Sequence, residues 1–224
     1  MPDQELILTA HPVAAQAWEQ AGLMVMDGSH SMTQPYAGDG EGPSDHSKGQ
    51  AVGESMQSFA RRLQSSGNAV NFSLGYVSFN DKVTDRRSPQ PVLEIDPNVS
   101  YDPTDHGTGG TAIHTGLDAA AEMIEEFMGR PHEVPTSAIA VLLSDGEDRG
   151  DPAKTAAAAA RLRELPSTKL AACLFATHGA SASGETLLQE IVSEPGLYKR
   201  IYNTEELRAF FRDTVTVHHG GGVE

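Results

Sequence analysis

Two stretches of the chain, GLMVMD (22–27) and SAIAVLLSD (137–145), are nearly continuous apolar runs that each end on an aspartate. Runs of this kind suit strands covered on both faces, the pattern of a parallel sheet. AVNFSLGYVSF (69–79) and KLAACLFAT (169–177) also read as strands by their apolar and β-branched content. Weaker candidates are LYKRIYN (197–203) and PVLEI (91–95), whose opening Pro91 suits an antiparallel edge position because proline cannot donate to a ladder.

Between these runs the apolar period changes to that of a helix. Val52, Met56, Phe59 and Leu63 form one stripe in residues 49–67, with Gly67 as a stop signal. Ile113, Leu117, Ala120, Ile124, Phe127 and Met128 form another, ending at Gly129. A third helix is expected over 151–165, where Asp151 can cap and Pro152 suits the first position. Residues 183–194 and 204–215 complete the set. Strands alternating with helices predict an α/β fold: a doubly wound, mostly parallel central sheet flanked by helices, Rossmann-like, with one antiparallel edge strand. The expected organisation is an N-terminal extension over 1–21 that packs on the domain, a domain over 22–217 and a flexible tail over 218–224.

That architecture gives the two terminal aspartates a meaning. In doubly wound sheets, ligands bind at the carboxyl ends of the strands near the point where strand order reverses. Asp27 and Asp145 are both placed at that edge, expected to be open to solvent, where two carboxylates without a basic partner would repel each other and require a cation. Asp27 is followed by Ser29 and Ser31 in DGSHS, so an extended turn can present one carboxylate and two hydroxyls in the same direction. Asp27, Ser29, Ser31 and Asp145 form an all-oxygen set suited to Mg²⁺, which takes one or two carboxylates and keeps several waters.

Composition narrows the function further. The 224 residues are enough for one sizeable core, and 38% of them are hydrophobic. The chain has 16 Lys plus Arg against 31 Asp plus Glu, a formal charge of -15, which argues against nucleic acid and anionic membrane as partners. Cys173 is the single cysteine, so no intrachain disulfide can form, and its apolar surroundings suggest an inert buried thiol. No apolar run approaches the roughly 18 residues of a membrane span, and the first residues carry acids where a signal peptide carries bases, so a cytoplasmic setting is expected.

DGSHS matches the D-x-S-x-S signature of von Willebrand factor type A domains, and the chain resembles that family at two further points. Thr111 in GTGGTAIHTGL and Asp145 in VLLSDGED stand in the order in which the family supplies a threonine and an aspartate to its metal ion-dependent adhesion site. The resemblance runs from about Leu23 to the last helix. It implies that Ser29, Ser31 and Thr111 meet the metal directly or by turns, that Asp27 and Asp145 do so directly or through water, and that the remaining position goes to an Asp or Glu of a partner protein. Mg²⁺ is the implied ion, with Mn²⁺ or Ca²⁺ as alternatives. An assembly linked to an AAA+ ATPase, or one serving stress or defence, is the implied setting of an intracellular bacterial-type member.

Two departures bear on the site. His30 stands where many members have glycine, and the loop over 33–47 is longer than in compact relatives. Enzyme readings fit less well than a binding module. GSHSM lacks the closing glycine of a nucleophile elbow, and DGSHSM lacks the glycine pattern of a dinucleotide turn. Metal-dependent phosphoryl or ester hydrolysis is the alternative, for which His30, His106 and His114 lie near the loops in sequence but none is tied to the site as a base.

Overall fold

A computed structural model describes residues 16–35, 46–146, 148–176 and 182–216. Residues 1–15 of the extension expected over 1–21, most of the loop over 33–47 and the tail lie outside the described residues. Six strands form one sheet in the order β3-β2-β1-β4-β5-β6. They are β1 (Glu19–Asp27), β2 (Phe72–Phe79), β3 (Val83–Pro91), β4 (Thr136–Ser144), β5 (Thr168–Phe175) and β6 (Tyr198–Ile201). Only β3 runs antiparallel, beside β2, so the sheet is mostly parallel with one antiparallel edge, as the sequence predicts.

The apolar runs become central strands for the expected reason. Every described residue of β1 after Glu19 and every residue of β2 is buried, which leaves no solvent face to alternate toward. The five helices are α1 (Lys48–Gln64), α2 (Ile113–Met128), α3 (Pro152–Glu164), α4 (Ala182–Ile191) and α5 (Thr204–Thr216). α1 packs against α5, where Phe59 and Phe211 meet at 5.9 Å between ring centroids, while α2 packs against α3 with α4 beside it. The Val52, Met56, Phe59 and Leu63 stripe is buried as predicted, and so is Ile113, Leu117, Ala120, Ile124 and Phe127. Cys173 is fully buried, and that burial pushes its thiol well above the ordinary range. No helix among the described residues is long and apolar enough to cross a membrane.

The edge strand differs from the expectation. PVLEI is not a strand: β3 ends at Pro91, and Val92–Glu94 form a 3-10 turn. The real edge is the polar segment VTDRRSPQP, exposed at most positions, so it carries no apolar signal and owes its conformation to pairing with β2. Pro91 still obeys the edge rule, at the end of the strand and not at its start. Other boundaries moved less. β1 begins at Glu19, inside the stretch assigned to the extension, and Ala69–Asn71 form a 3-10 turn ahead of β2. α1 stops at Gln64, three residues before Gly67, because Ser65 already closes it by donating its N–H to the Arg61 carbonyl.

Helix and sheet touch most closely where α2 crosses β2. A Cβ added at Gly116 would lie 2.5 Å from Phe79 Cδ1, and Phe79 is fully buried with no room to retreat. Gly116→Ala should therefore destabilise the protein by about 1–3 kcal/mol through overpacking, despite alanine's better helix propensity. Urea denaturation checks this, and an unchanged or raised midpoint would contradict it.

Candidate metal site

Strand order reverses between β1 and β4: from β1 the chain builds outward to β2 on one side, and β4 begins the other half. Their carboxyl ends lie side by side, with Met26 paired to Leu143, so Asp27 comes next to Ser144 and Asp145. The Ser144 hydroxyl donates to Asp27 Oδ2 at 2.6 Å, and the Ser29 N–H donates to Asp27 Oδ1 at 2.8 Å. Ser29 Oγ and Ser31 Oγ lie 3.0 Å apart, and the Ser31 hydroxyl donates to Asp145 Oδ1 at 2.6 Å. Four sequence-predicted residues are thus joined in one hydrogen-bonded chain across two loops, Asp27 entering it through the Ser29 N–H.

Thr111 arrives at the same edge by another route. The His30 N–H donates to the Gly109 carbonyl at 3.0 Å, which lashes the first loop to the second. The Ala112 N–H donates to the Asn80 carbonyl at 2.8 Å, and the Arg149 N–H to the Thr111 carbonyl at 2.7 Å. Thr111 is buried, but among the described residues its side chain makes no hydrogen bond to the other four.

The long loops are anchored close to this cluster. The 33–47 excursion is pinched at its base by a bridge between Pro35 and Ser47 and by the Lys48 N–H donating to the Gln34 carbonyl at 3.0 Å. Ser47 then opens α1 with a capping box: its hydroxyl accepts from Gln50 N, and the Gln50 side chain accepts from Ser47 N. The loop over 96–112 passes over Gly28, where a Cβ would stand 2.2 Å from the Pro103 carbonyl oxygen. Only glycine permits that approach within the metal-loop motif.

Two expectations fail here. The carboxylates are not at an open edge: Asp27 is 0% and Asp145 6% exposed. Nor do they lack a basic partner. The Lys48 ammonium, at the first turn of α1, pairs with Asp145 Oδ2, and its side chain is only 8% exposed. Sequence reasoning missed Lys48, although a signal was present. A lysine in the first turn of a helix opposes the helix dipole and calls for a compensating anion.

Asp148 was also missed. Its carboxylate accepts from Ile113 N at 3.1 Å and from Gly150 N at 2.9 Å, so it caps α2, whose own N-cap residue, Ala112, has no side chain for the purpose. It ties the loop after β4 to the loop bearing Thr111. Nothing in SDGEDRGD distinguishes this carboxylate from its acidic neighbours before folding.

Among the described residues, no hydrogen bond joins the side chains of His30, His106 or His114 to the cluster. His30 is exposed at the rim, His106 lies 3.8 Å from Asp85, and the buried His114 Nδ1 has no hydrogen-bond partner.

The donor chemistry fits a hard divalent cation. Carboxylate and hydroxyl oxygens converge there without thiols, the donor set a hard cation prefers. Asp27 carries the mark of an unmet charge. Burial raises its carboxyl to about 6, the Ser144 and Ser29 hydrogen bonds pull it down, and repulsion from Asp145 pushes it up.

A sequence profile described as von Willebrand factor type A domain matches residues 23–215. Comparison with curated proteins yields no match. Among solved structures, the pilus adhesin SpaC from Lactobacillus rhamnosus GG superposes with a TM-score of 0.70 at 12% identity, covering 90% of this chain and 30% of that one. A von Willebrand factor type A protein from Catenulispora acidiphila gives 0.63 at 20% identity, covering 92% and 44%. Proximal thread matrix protein 1 from the mussel byssus, with a zinc-occupied MIDAS motif, gives 0.58 at 19% identity, covering 91% and 49%. The chain therefore spans about a third to a half of the length of these proteins, and at such identities the likeness is one of fold.

Asp27 generates a pH prediction. A carboxyl near 6 when folded and near 3.8 when unfolded favours the folded state while protonated, so its contribution is fully present below about pH 3.8 and is lost as pH rises through 6. In EDTA, Asp27 should remove about 3 kcal/mol of stability across that window. Asp27→Asn should flatten this component in denaturation curves taken from pH 4 to pH 7, and an unchanged difference between variant and wild type across the range would refute the assignment.

Proposed function

We propose a function from the premise that this chain belongs to the von Willebrand factor type A family: it is a divalent-metal-dependent protein-interaction module that captures an acidic residue of a partner. Domains of this family are metal-dependent interaction modules. The observation that carries the reading to this chain is the single hydrogen-bonded cluster of Asp27, Ser29, Ser31 and Asp145 where strand order reverses. We assign the metal to these four residues and Thr111, with Mg²⁺ as the ion and Mn²⁺ or Ca²⁺ as substitutes.

A bound divalent cation supplies an electrophilic position that a partner's carboxylate can complete. The chain's own residues do the rest. Ser144 and the Ser29 N–H hold Asp27 in a fixed orientation, and Ser31 links the first loop to Asp145. Ser31 can donate its proton to Asp145 and still offer a lone pair to a cation, because a hydroxyl has one proton and two lone pairs. Asp148 holds the second loop against the third.

The partner is a protein presenting Asp or Glu on a surface that is otherwise neutral or basic, because a chain of net charge -15 repels an acidic one outside the contact. An AAA+ ATPase-linked assembly is the setting the sequence suggests. Pilus adhesins among the structural relatives give a cytoplasmic setting no support, and capture of this kind works on either side of a membrane.

Mg²⁺ at 100 times its dissociation constant should add about 2.7 kcal/mol of stability if it binds only the folded state. Thr111→Ala should reduce that gain and abolish Mg²⁺-dependent partner capture, while its circular dichroism spectrum stays that of the wild type. Because Asp27 is buried and bonded, Thr111 is the cleaner probe. Identical melting in EDTA and excess Mg²⁺, or partner binding that persists in EDTA, would refute the function.

A further inference from the structure

Lys48 is the one feature of the cluster that neither the motif nor the proposed function requires. Its backbone position is fixed twice, by its N–H to the Gln34 carbonyl at 3.0 Å and by the capping box that opens α1 at Ser47. Its side chain is buried and points inward along the first turn, against the helix dipole, to end on Asp145. Both oxygens of Asp145 are then engaged, Oδ1 by the Ser31 hydroxyl and Oδ2 by the Lys48 ammonium.

Charge counting changes once the ammonium is included. Two carboxylates and a dication alone make a neutral site, where only the direct metal–oxygen bond favours a further carboxylate. Two carboxylates, one ammonium and a dication leave one positive charge, which a single incoming carboxylate cancels. In a buried site such charges are poorly screened, so the difference is felt by both ligands.

We infer that Lys48 sets the charge preference of the site: its fixed ammonium weakens binding of the metal alone and strengthens binding of a partner carboxylate to the metal-loaded site. This rests on the metal-site reading above. Without metal, Lys48 is the tethered cation that keeps Asp145 paired. With metal, it is the excess charge that favours an anionic ligand over water.

The test uses the full chain, Mn²⁺ as the metal and acetate as the carboxylate. Mn²⁺ affinity is measured by electron paramagnetic resonance in sodium acetate and in sodium chloride of equal ionic strength. Wild type should bind Mn²⁺ about fivefold more tightly in acetate. Lys48→Met should bind Mn²⁺ in chloride roughly tenfold more tightly than wild type and show a smaller acetate effect. Lys48→Arg, which keeps the charge, should retain the wild-type acetate effect. Should Lys48→Met be unfolded in EDTA, its refolding on addition of Mn²⁺ shows the same replacement of one cation by another, and Lys48→Gln then provides the affinities. Mn²⁺ binding by Lys48→Met or Lys48→Gln that is no tighter than wild type, or an acetate effect in them as large as in wild type, overturns the role of Lys48 and leaves the metal site standing. Absence of Mn²⁺ binding in wild type and variants alike overturns both.

Discussion

Two carboxylates forced together at the ends of adjacent parallel strands are the constraint around which this structure is arranged. β1 and β4 are hydrogen-bonded neighbours in the centre of the sheet, and their pairing carries Asp27 and Asp145 to one place with almost no access to water. Burial and mutual repulsion both disfavour the doubly charged state, as the raised Asp27 carboxyl records. Something positive has to be supplied, and hydroxyl and amide donors alone soften the problem without cancelling it.

The surrounding structure answers that constraint in layers. Ser144 and the Ser29 amide bond Asp27, Ser31 bonds Asp145, and Lys48 brings a full charge from α1. These donors come from β4, the loop after β1 and α1, so those segments cannot shift independently. The pinch between Pro35 and Ser47 explains how a long excursion is compatible with this: the ends of the loop are closed on each other. Asp148 plays the matching part on the other side, joining the α2 N-terminus to the loop after β4. A site built this way is largely pre-formed, which lowers the ordering cost of taking a ligand.

The family relation and the local chemistry carry different parts of the functional conclusion. Membership rests on a profile match over 23–215, while solved relatives at 12–20% identity establish fold only. Those relatives are two to three times longer than the matched region, so their names describe proteins of which a domain like this is one part. The local chemistry supplies the buried ammonium on Asp145, which would leave the site cationic with a dication bound.

Periodicity and composition determined the fold class, the central strands and the helix stripes, because burial on both faces of a parallel sheet leaves an unbroken apolar record in the sequence. The same logic brought Asp27, Ser29, Ser31 and Asp145 together, since strand ends in a doubly wound sheet share an edge. The polar edge strand Val83–Pro91 left no such record, because its conformation comes from pairing with β2. Nor could the chain's own order reveal that Lys48 ends on Asp145, 97 positions away, or that Asp148 caps a helix begun 35 positions earlier. Spacing encodes local faces. Which charge meets which across the sheet edge depends on how closed loops and helix starts converge in three dimensions, and only the tertiary structure decided that.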